Sequence, residues 1–407
     1  MSAERTEAES GPTRTRLASP LVAAYVFILV VLGTRAYQAP QIDWDALGYA
    51  GVVETWRGGT DEEVHAAAFA TIEDAAGPER AAELRGEGLD PEGRGVVYRQ
   101  RMAAEPDAFV AQLPFYRGRL VFLALLYAAG WLGASATTAA LAISLISGVA
   151  FGAVLILWTT RYLSTLYACL AAMIAMKLTG ATEVMAMATP DMLAGALLLG
   201  GAYALVETRR AGVGIALLAL AVGARADHVL LAGALLAWLR FLPQPSRRLS
   251  NGAFARGLGL LAVVVWACTS MAGTYGWWTV FHHTFVEYMA FPGAEAPARD
   301  LGAAASRVLR SLPMFKAWQP LTFSLLAIAA VVVGWRSRGW RDLGAGLAAA
   351  ATVAALAHFA LFPALWPRMM MAYWALTLLG LCAAWNELER PWPKPEPAPA
   401  PAPDATA

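Results

Sequence analysis

The chain has 407 residues, 58% of them hydrophobic and 15% charged, with a mean hydropathy of +0.49 and a formal net charge of +1. Soluble domains carry close to a quarter charged residues and less than half apolar ones, so a soluble globule would have nowhere to put this much apolar surface. With no charge excess and no basic patch interleaved with aromatics, nucleic acid is excluded as a partner.

The charges collect at the N-terminus, in residues 43–119 and in short clusters between apolar runs, which is the pattern of spans and loops. A helix needs roughly 20 apolar residues to cross a bilayer, with a range of about 17–25. The first run, 17–36, follows Arg14 and Arg16. It is long for the core of a signal peptide and no small-residue cleavage site follows, so it reads as an uncleaved anchor behind a cytoplasmic segment, 1–16. A long loop, 37–136, comes next and contains one more apolar stretch, 120–133. Further spans are predicted at 137–159, 163–182, 191–206, 211–224, 228–242, 257–276, 319–335, 343–362 and 369–386. Three of these, 191–206, 211–224 and 228–242, are short or interrupted. The segment 387–407 is a cytoplasmic tail, Pro-rich from Pro391 onward, expected to be disordered or polyproline-like and given no function.

Arginine placement decides how the ambiguous 120–133 is used. If it does not span, Arg5, Arg14 and Arg16, then Arg161, Arg209 and Arg210, then Arg240, Arg247, Arg248 and Arg256, then Arg336, Arg338 and Arg341, then Arg390 and Lys394 fall on one side. The positive-inside rule makes that side the cytoplasm. If it spans, every later cluster flips. The prediction is therefore ten spans with both termini inside, the loop 37–136 outside, and 120–133 lying as a helix on the outer interface. No internal repeat marks a transporter built from two halves. Cys169, Cys268 and Cys382 all sit in apolar runs without metal-ligand spacing and read as small buried hydrophobes.

This topology gathers rare ionisable residues at the outer ends of the spans: Asp43 and Asp45, Glu183 and Asp191, Arg225 and Asp227, His282 and His283, and Arg368. Ionisable groups at membrane depth are costly and usually face a cavity or a partner. Acids and arginines at one face could bind an anionic headgroup and move a proton. Asp45 and Tyr49 are four apart and share a helix face. Asp45 fits a general base on a hydroxyl, while an N-cap is the commoner role of an acid at such a place. Asp191, in Thr189-Pro190-Asp191, has the chemistry of an ordinary helix start. Arg225-Ala226-Asp227 fits either a local ion pair or a phosphate clamp. Arg368, after Trp366-Pro367, fits an interfacial anchor as well as an anion contact. His282-His283 lies among aromatics, where an aromatic belt is the commoner reading than a metal site.

Together these features resemble the C-type membrane glycosyltransferases, the GT-C fold. Ile42-Asp43-Trp44-Asp45-Ala46-Leu47-Gly48-Tyr49 looks like the acidic motif that opens the family's first outer loop, and Leu113-Pro114-Phe115-Tyr116-Arg117-Gly118-Arg119 looks like its Pro/Tyr segment. Thr189-Pro190-Asp191, Ala224-Arg225-Ala226-Asp227 and Pro367-Arg368 through Tyr373 resemble its later motifs, with Ala226 where Pro is commoner. The likeness covers about residues 17–386. It implies an all-α bundle whose first outer loop carries interfacial helices. It further implies an inverting transfer of a sugar from a polyprenyl-phosphate donor to an acceptor hydroxyl on the extracytoplasmic face. In that mapping Asp45 is the base and Asp43 its helper or substitute. Arg225 and Arg368 hold the phosphate, and Tyr49, Asp191, Asp227 and His282 contact substrate. No cofactor is required by these residues, and a divalent metal stays open because members differ in metal use. The acceptor cannot be borrowed, because residues 55–112 are longer and more charged than the usual first loop. The Ala-, Gly- and Arg-rich composition points to a bacterial plasma membrane. A lipid or solute transporter, or a non-catalytic subunit of the same fold, are the competing expectations.

Overall fold

The computed structural model describes residues 19–90, 92–93, 95–242, 247–338 and 342–389. The expected cytoplasmic segment 1–16 and the expected tail from residue 390 onward therefore lie outside the described residues, while residues 387–389 of that tail are helical and continue the last helix. Among those residues the chain is helical with no strand, and six helices are long and apolar enough to cross a membrane. It is an all-α, multi-pass membrane protein.

The first long helix, α1 (Pro20–Gln38), starts where the Ser19 hydroxyl accepts from the Leu21 amide and Pro20 takes the first position, where its missing N–H costs nothing. It buries Tyr25 and Leu29 and turns Phe27 and Val30 outward, 67% and 53% exposed. Large apolar side chains on an outer surface are stable only against lipid or a partner.

Five short helices follow: α2 (Trp44–Trp56), α3 (Asp61–Ala76), α4 (Pro78–Leu84), α5 (Val96–Ala104) and α6 (Pro106–Gln112). Each has a local start signal, such as the Thr60–Glu63 capping box on α3. They share an apolar cluster with the helices that follow, including Leu47, Ile72 and Phe109 from the short helices and Phe122 and Leu141 beyond them, so the first loop is folded rather than extended. Gly48 in α2 is required by contact, since a Cβ there would run into the Tyr116 ring.

The apolar stretch expected at 120–133 is α7 (Leu120–Trp131), only 12 residues, about 18 Å at 1.5 Å per residue and short of a bilayer core. It ends with Trp131 and Leu132 at 80% and 89% exposure. Then come α8 (Ala136–Thr159), α9 (Thr165–Leu178), α10 (Asp191–Val206), α11 (Ala211–Ala224) and α12 (Val229–Phe241). The run expected at 163–182 is broken after Leu178, where Gly180 takes a positive φ of 75°. The span expected at 257–276 instead starts at Asn251, where Ser250 caps it, and runs as α13 (Asn251–Trp266) into a wider turn ending at Met271.

The remaining helices are α14 (Trp277–Phe285), α15 (Leu301–Ser311), α16 (Trp318–Arg338), α17 (Leu343–Leu361) and α18 (Pro367–Glu389). α10 packs on α11 and α8, and α18 packs between α16 and α17. α17 and α18 cross so closely that a Cβ at Gly344 would strike the backbone at Gly380, the small-residue contact by which helices associate in lipid.

Candidate functional site

The first loop is tied to the bundle at the base of the site. The Gln41 amide donates to the Ala186 carbonyl at 2.8 Å, and Arg80 Nε donates to the Ile42 carbonyl at 3.0 Å. Ser144 on α8 donates to the Thr189 carbonyl at 3.1 Å. These bonds fix residues 41–45 beside residues 186–191. α2 then begins, and its cap is Asp43, whose Oδ1 accepts from the Asp45 amide at 3.2 Å. The capping role that fitted Asp45 belongs to Asp43, which leaves the Asp45 carboxylate free to face inward.

It faces a cavity of about 580 Å³ lined by Asp45, Tyr49, Arg119, Asp191, Arg225, Asp227 and Arg368, among others. That volume is within the ~300–1,000 Å³ of sites that hold small molecules. Arg368 Nη1 donates to Asp45 Oδ2 at 2.6 Å and to Asp43 Oδ2 at 3.2 Å. Asp43 thus reaches the site through Arg368. Tyr49 meets Tyr116 and Phe122 edge to face at 5.3 and 5.2 Å, which fixes its ring, and burial pushes its hydroxyl up to about 12.

Arg225 is 7% exposed and Asp191 2%. The Arg225 fork binds Asp227 through Nε at 3.0 Å and Nη2 at 2.9 Å, while its Nη1 donates to Asp191. Burial works against the Asp227 charge, yet Arg225 and two nearby histidines hold it well below the usual carboxylate range. Among the described residues no three His, Cys, Asp or Glu side chains converge as a metal ion requires, and Asp191 and Asp227 share Arg225 instead.

The two acids of the first motif behave oppositely. Burial opposes the Asp45 charge, but Arg368 beside it, with Arg119 and Arg225 beyond, keeps its carboxyl below the usual range. Burial and the Asp45 charge push Asp43 up to about 7 in spite of Arg368.

Three site features were not legible in the sequence. Arg119 was read only as part of a motif. It lines the cavity, donates to the Phe115 carbonyl, and has no carboxylate within ion-pair distance among the described residues. His358, in the expected span 343–362, lines the cavity and approaches Asp227, Nδ1 to Oδ2 at 3.6 Å. His228 and Tyr373 flank this point, with both His228 nitrogens and the Tyr373 hydroxyl buried and without a hydrogen-bond partner among the described residues. A histidine within an apolar run was the available signal for His358. His282 is displaced from the site. Successive helical residues point about 100° apart, and it is His283 that lines the cavity, accepting at Nδ1 from the Met289 amide at 3.1 Å.

Fold and site define an all-helical, multi-pass membrane protein with a cavity that pairs carboxylates with arginines. Neither a family model, a curated protein nor a solved structure matches the chain.

Proposed function

We propose that this chain is a membrane glycosyltransferase of the GT-C type, moving a sugar from a polyprenyl-phosphate donor to an acceptor hydroxyl at the extracytoplasmic face of a bacterial plasma membrane. The observation that carries the reading is one cavity holding both an ionised Asp45 and an Arg119 guanidinium that, among the described residues, has no carboxylate within ion-pair distance. The first can accept a proton and the second can take a phosphate. Arg225, engaged with Asp191 and Asp227, serves as the frame that keeps this end of the cavity in shape.

In the reaction, the acceptor hydroxyl gives its proton to Asp45 as its oxygen attacks the anomeric carbon. The bond from that carbon to the phosphate oxygen breaks on the opposite face, so configuration inverts and polyprenyl phosphate leaves with the electron pair. Arg119, and Arg368 once Asp45 is protonated, stabilise the charge that grows on the leaving phosphate. Asp45 is favoured over Asp43 because geometry comes before titration: Asp45 lines the cavity, whereas Asp43 caps α2.

The ten-span topology with cytoplasmic termini is part of the proposal. It is supported by the meeting of residues 44–45, 119, 191, 225–227 and 368 in one cavity, as expected of segments at the same end of the bundle. It requires α9 to α12, each 13–16 residues long, to cross a thinned or protein-lined region.

The test is donor consumption by the purified protein in nanodiscs, with radiolabelled polyprenyl-phosphate sugars and membrane extract as acceptor. Label is expected to leave one donor, and Arg119→Ala is expected to raise the KM for that donor roughly 10–100-fold, the worth of a hydrogen bond between charged groups. Folded protein that consumes no donor would sink the proposal, and solute uptake or lipid scrambling by it would favour a transporter.

A further inference from the structure

Beside its charged groups, the cavity carries a set of aromatic rings. Trp44, Tyr98, Phe115, Tyr275, His283 and Tyr288 all line it. Tyr98 and Tyr288 stack at 5.2 Å, Trp44 lies 5.7 Å from Tyr98, and His283 sits 4.5 Å from Phe115 and 5.4 Å from Tyr98. The rings come from three separate segments, and hydrogen bonds lock two of them together, the one carrying Tyr98 and Phe115 and the one carrying Tyr275, His283 and Tyr288. The Tyr98 hydroxyl donates to Gln112 Oε1 at 2.9 Å, and Gln112 Nε2 donates to the Met289 and Ala290 carbonyls at 3.0 and 2.7 Å. The Tyr275 hydroxyl donates to the Ala111 carbonyl at 2.8 Å. A wall held this way loses little freedom when a ligand lands on it.

We propose that this wall binds a saccharide, which makes the acceptor a glycan. Calling the bound sugar an acceptor rests on the transferase reading; the binding itself does not. A pyranose offers one face of weakly positive C–H groups, which suits the negative face of an aromatic ring, and an edge of hydroxyls, which suits carboxylates and guanidiniums. The cavity offers both, and they meet at neighbouring residues, Trp44 on the wall and Asp45 at the charged end. A cationic headgroup fits worse. The cavity-lining residues of segments 95–119 and 268–288 include no Asp or Glu, and they do include Arg99 and Arg119, whereas a cation in an aromatic cage gains from nearby negative charge. An isoprenoid tail needs neither the ordered rings nor the adjoining charges.

The experiment is saturation-transfer NMR on the full chain in nanodiscs, without donor and without glycoside detergents, which would compete. The probes are neutral trisaccharides built of glucose, galactose, mannose, arabinose or N-acetylglucosamine. At least one is expected to saturate at its ring protons. Tyr98→Ala is expected to weaken that binding about tenfold, the scale of one stacking contact. Tyr98→Phe, which keeps the ring and loses the bond to Gln112, is expected to stay within about threefold. Should Tyr98→Ala not fold, Phe115→Ala carries the same expectation. Folded protein that binds none of the trisaccharides, equal binding by wild type and the ring-deleted variant, or ring-dependent binding of tetramethylammonium in their place would overturn the proposal. Donor turnover in the same preparation separates the two ideas. Binding without turnover removes the transferase and leaves the saccharide site, while turnover without binding does the reverse.

Discussion

Asp45→Asn is expected to lower donor turnover by about 10²–10⁴-fold, the usual contribution of a positioned general base, and to leave expression and helix content unchanged. The amide matches the carboxylate in shape and can still occupy the place beside Arg368 Nη1, now 2.6 Å from Asp45 Oδ2. What it cannot do is accept the proton of the attacking hydroxyl. Asp43→Asn is the internal control, because Asn caps a helix as well as Asp does. Its effect should appear in pH dependence. The folded chain holds the Asp43 proton up to about 7, above the ~3.9 of a free side chain. The fold therefore binds this proton more tightly than the unfolded chain does, and the stability it confers is lost as pH rises from roughly 4 through about 7. Asp45 has the opposite sign: its contribution is present above the ordinary carboxylate value and lost as pH falls. Comparing pH 5 with pH 8, the thermal midpoint of Asp43→Asn should drop less than that of wild type. An equal drop in both would show that Asp43 does not hold its proton to neutrality. Full turnover by purified Asp45→Asn would remove Asp45 from the role of base.

Arg225→Ala is expected to be the most destabilising single change in the site, on the order of 3–5 kcal/mol. It removes one guanidinium and leaves two buried or half-buried carboxylates, Asp191 and Asp227, without the partner that both now share. Three donated hydrogen bonds are lost together, and a carboxylate left unpaired in a buried place costs more than the pair gained. Arg225→Lys keeps the charge but loses the planar fork that reaches Asp227 through two nitrogens, so it should recover only part of the loss. The measure is the thermal midpoint in nanodiscs, followed by cysteine-reactivity or circular-dichroism melts. A midpoint within a degree or two of wild type for Arg225→Ala would mean that the Asp191–Arg225–Asp227 bridge contributes little. A triple variant with Asp191→Asn and Asp227→Asn added should regain stability, because the uncompensated charges are gone.

Much of the helical pattern was legible from apolar run length, because that length is set by the bilayer. The long helices α1, α8, α17 and α18 fall within a few residues of their predicted runs. The misses have local causes. The run 163–182 reads as continuous in hydropathy, but Gly180 permits a positive φ and the helix stops at Leu178. At 257–276 the apolar run marks only the lipid-compatible part of the helix, whereas the Ser250 cap sets its start at Asn251. In the site, the acids and arginines at expected outer ends were visible because charge at membrane depth is rare. Arg119 was not, because one arginine among several in 99–119 carries no signal of which way it points. The choice between His282 and His283 needed the helical phase of α14, which an aromatic run does not reveal. The aromatic wall joins segments up to 244 residues apart, from Trp44 to Tyr288, and that pairing is a property of the fold.

Whether the cavity beside Asp45 takes a lipid-linked phosphate is read most directly from a cryo-electron microscopy map of the protein in nanodiscs containing polyprenyl phosphate. Phosphate density is expected inside the cavity, within hydrogen-bond reach of the Arg119 guanidinium, with the isoprenoid tail leaving toward the bilayer. Density for the lipid phosphate elsewhere on the protein, with the cavity lined by Asp45 and Arg119 holding none, would contradict that expectation.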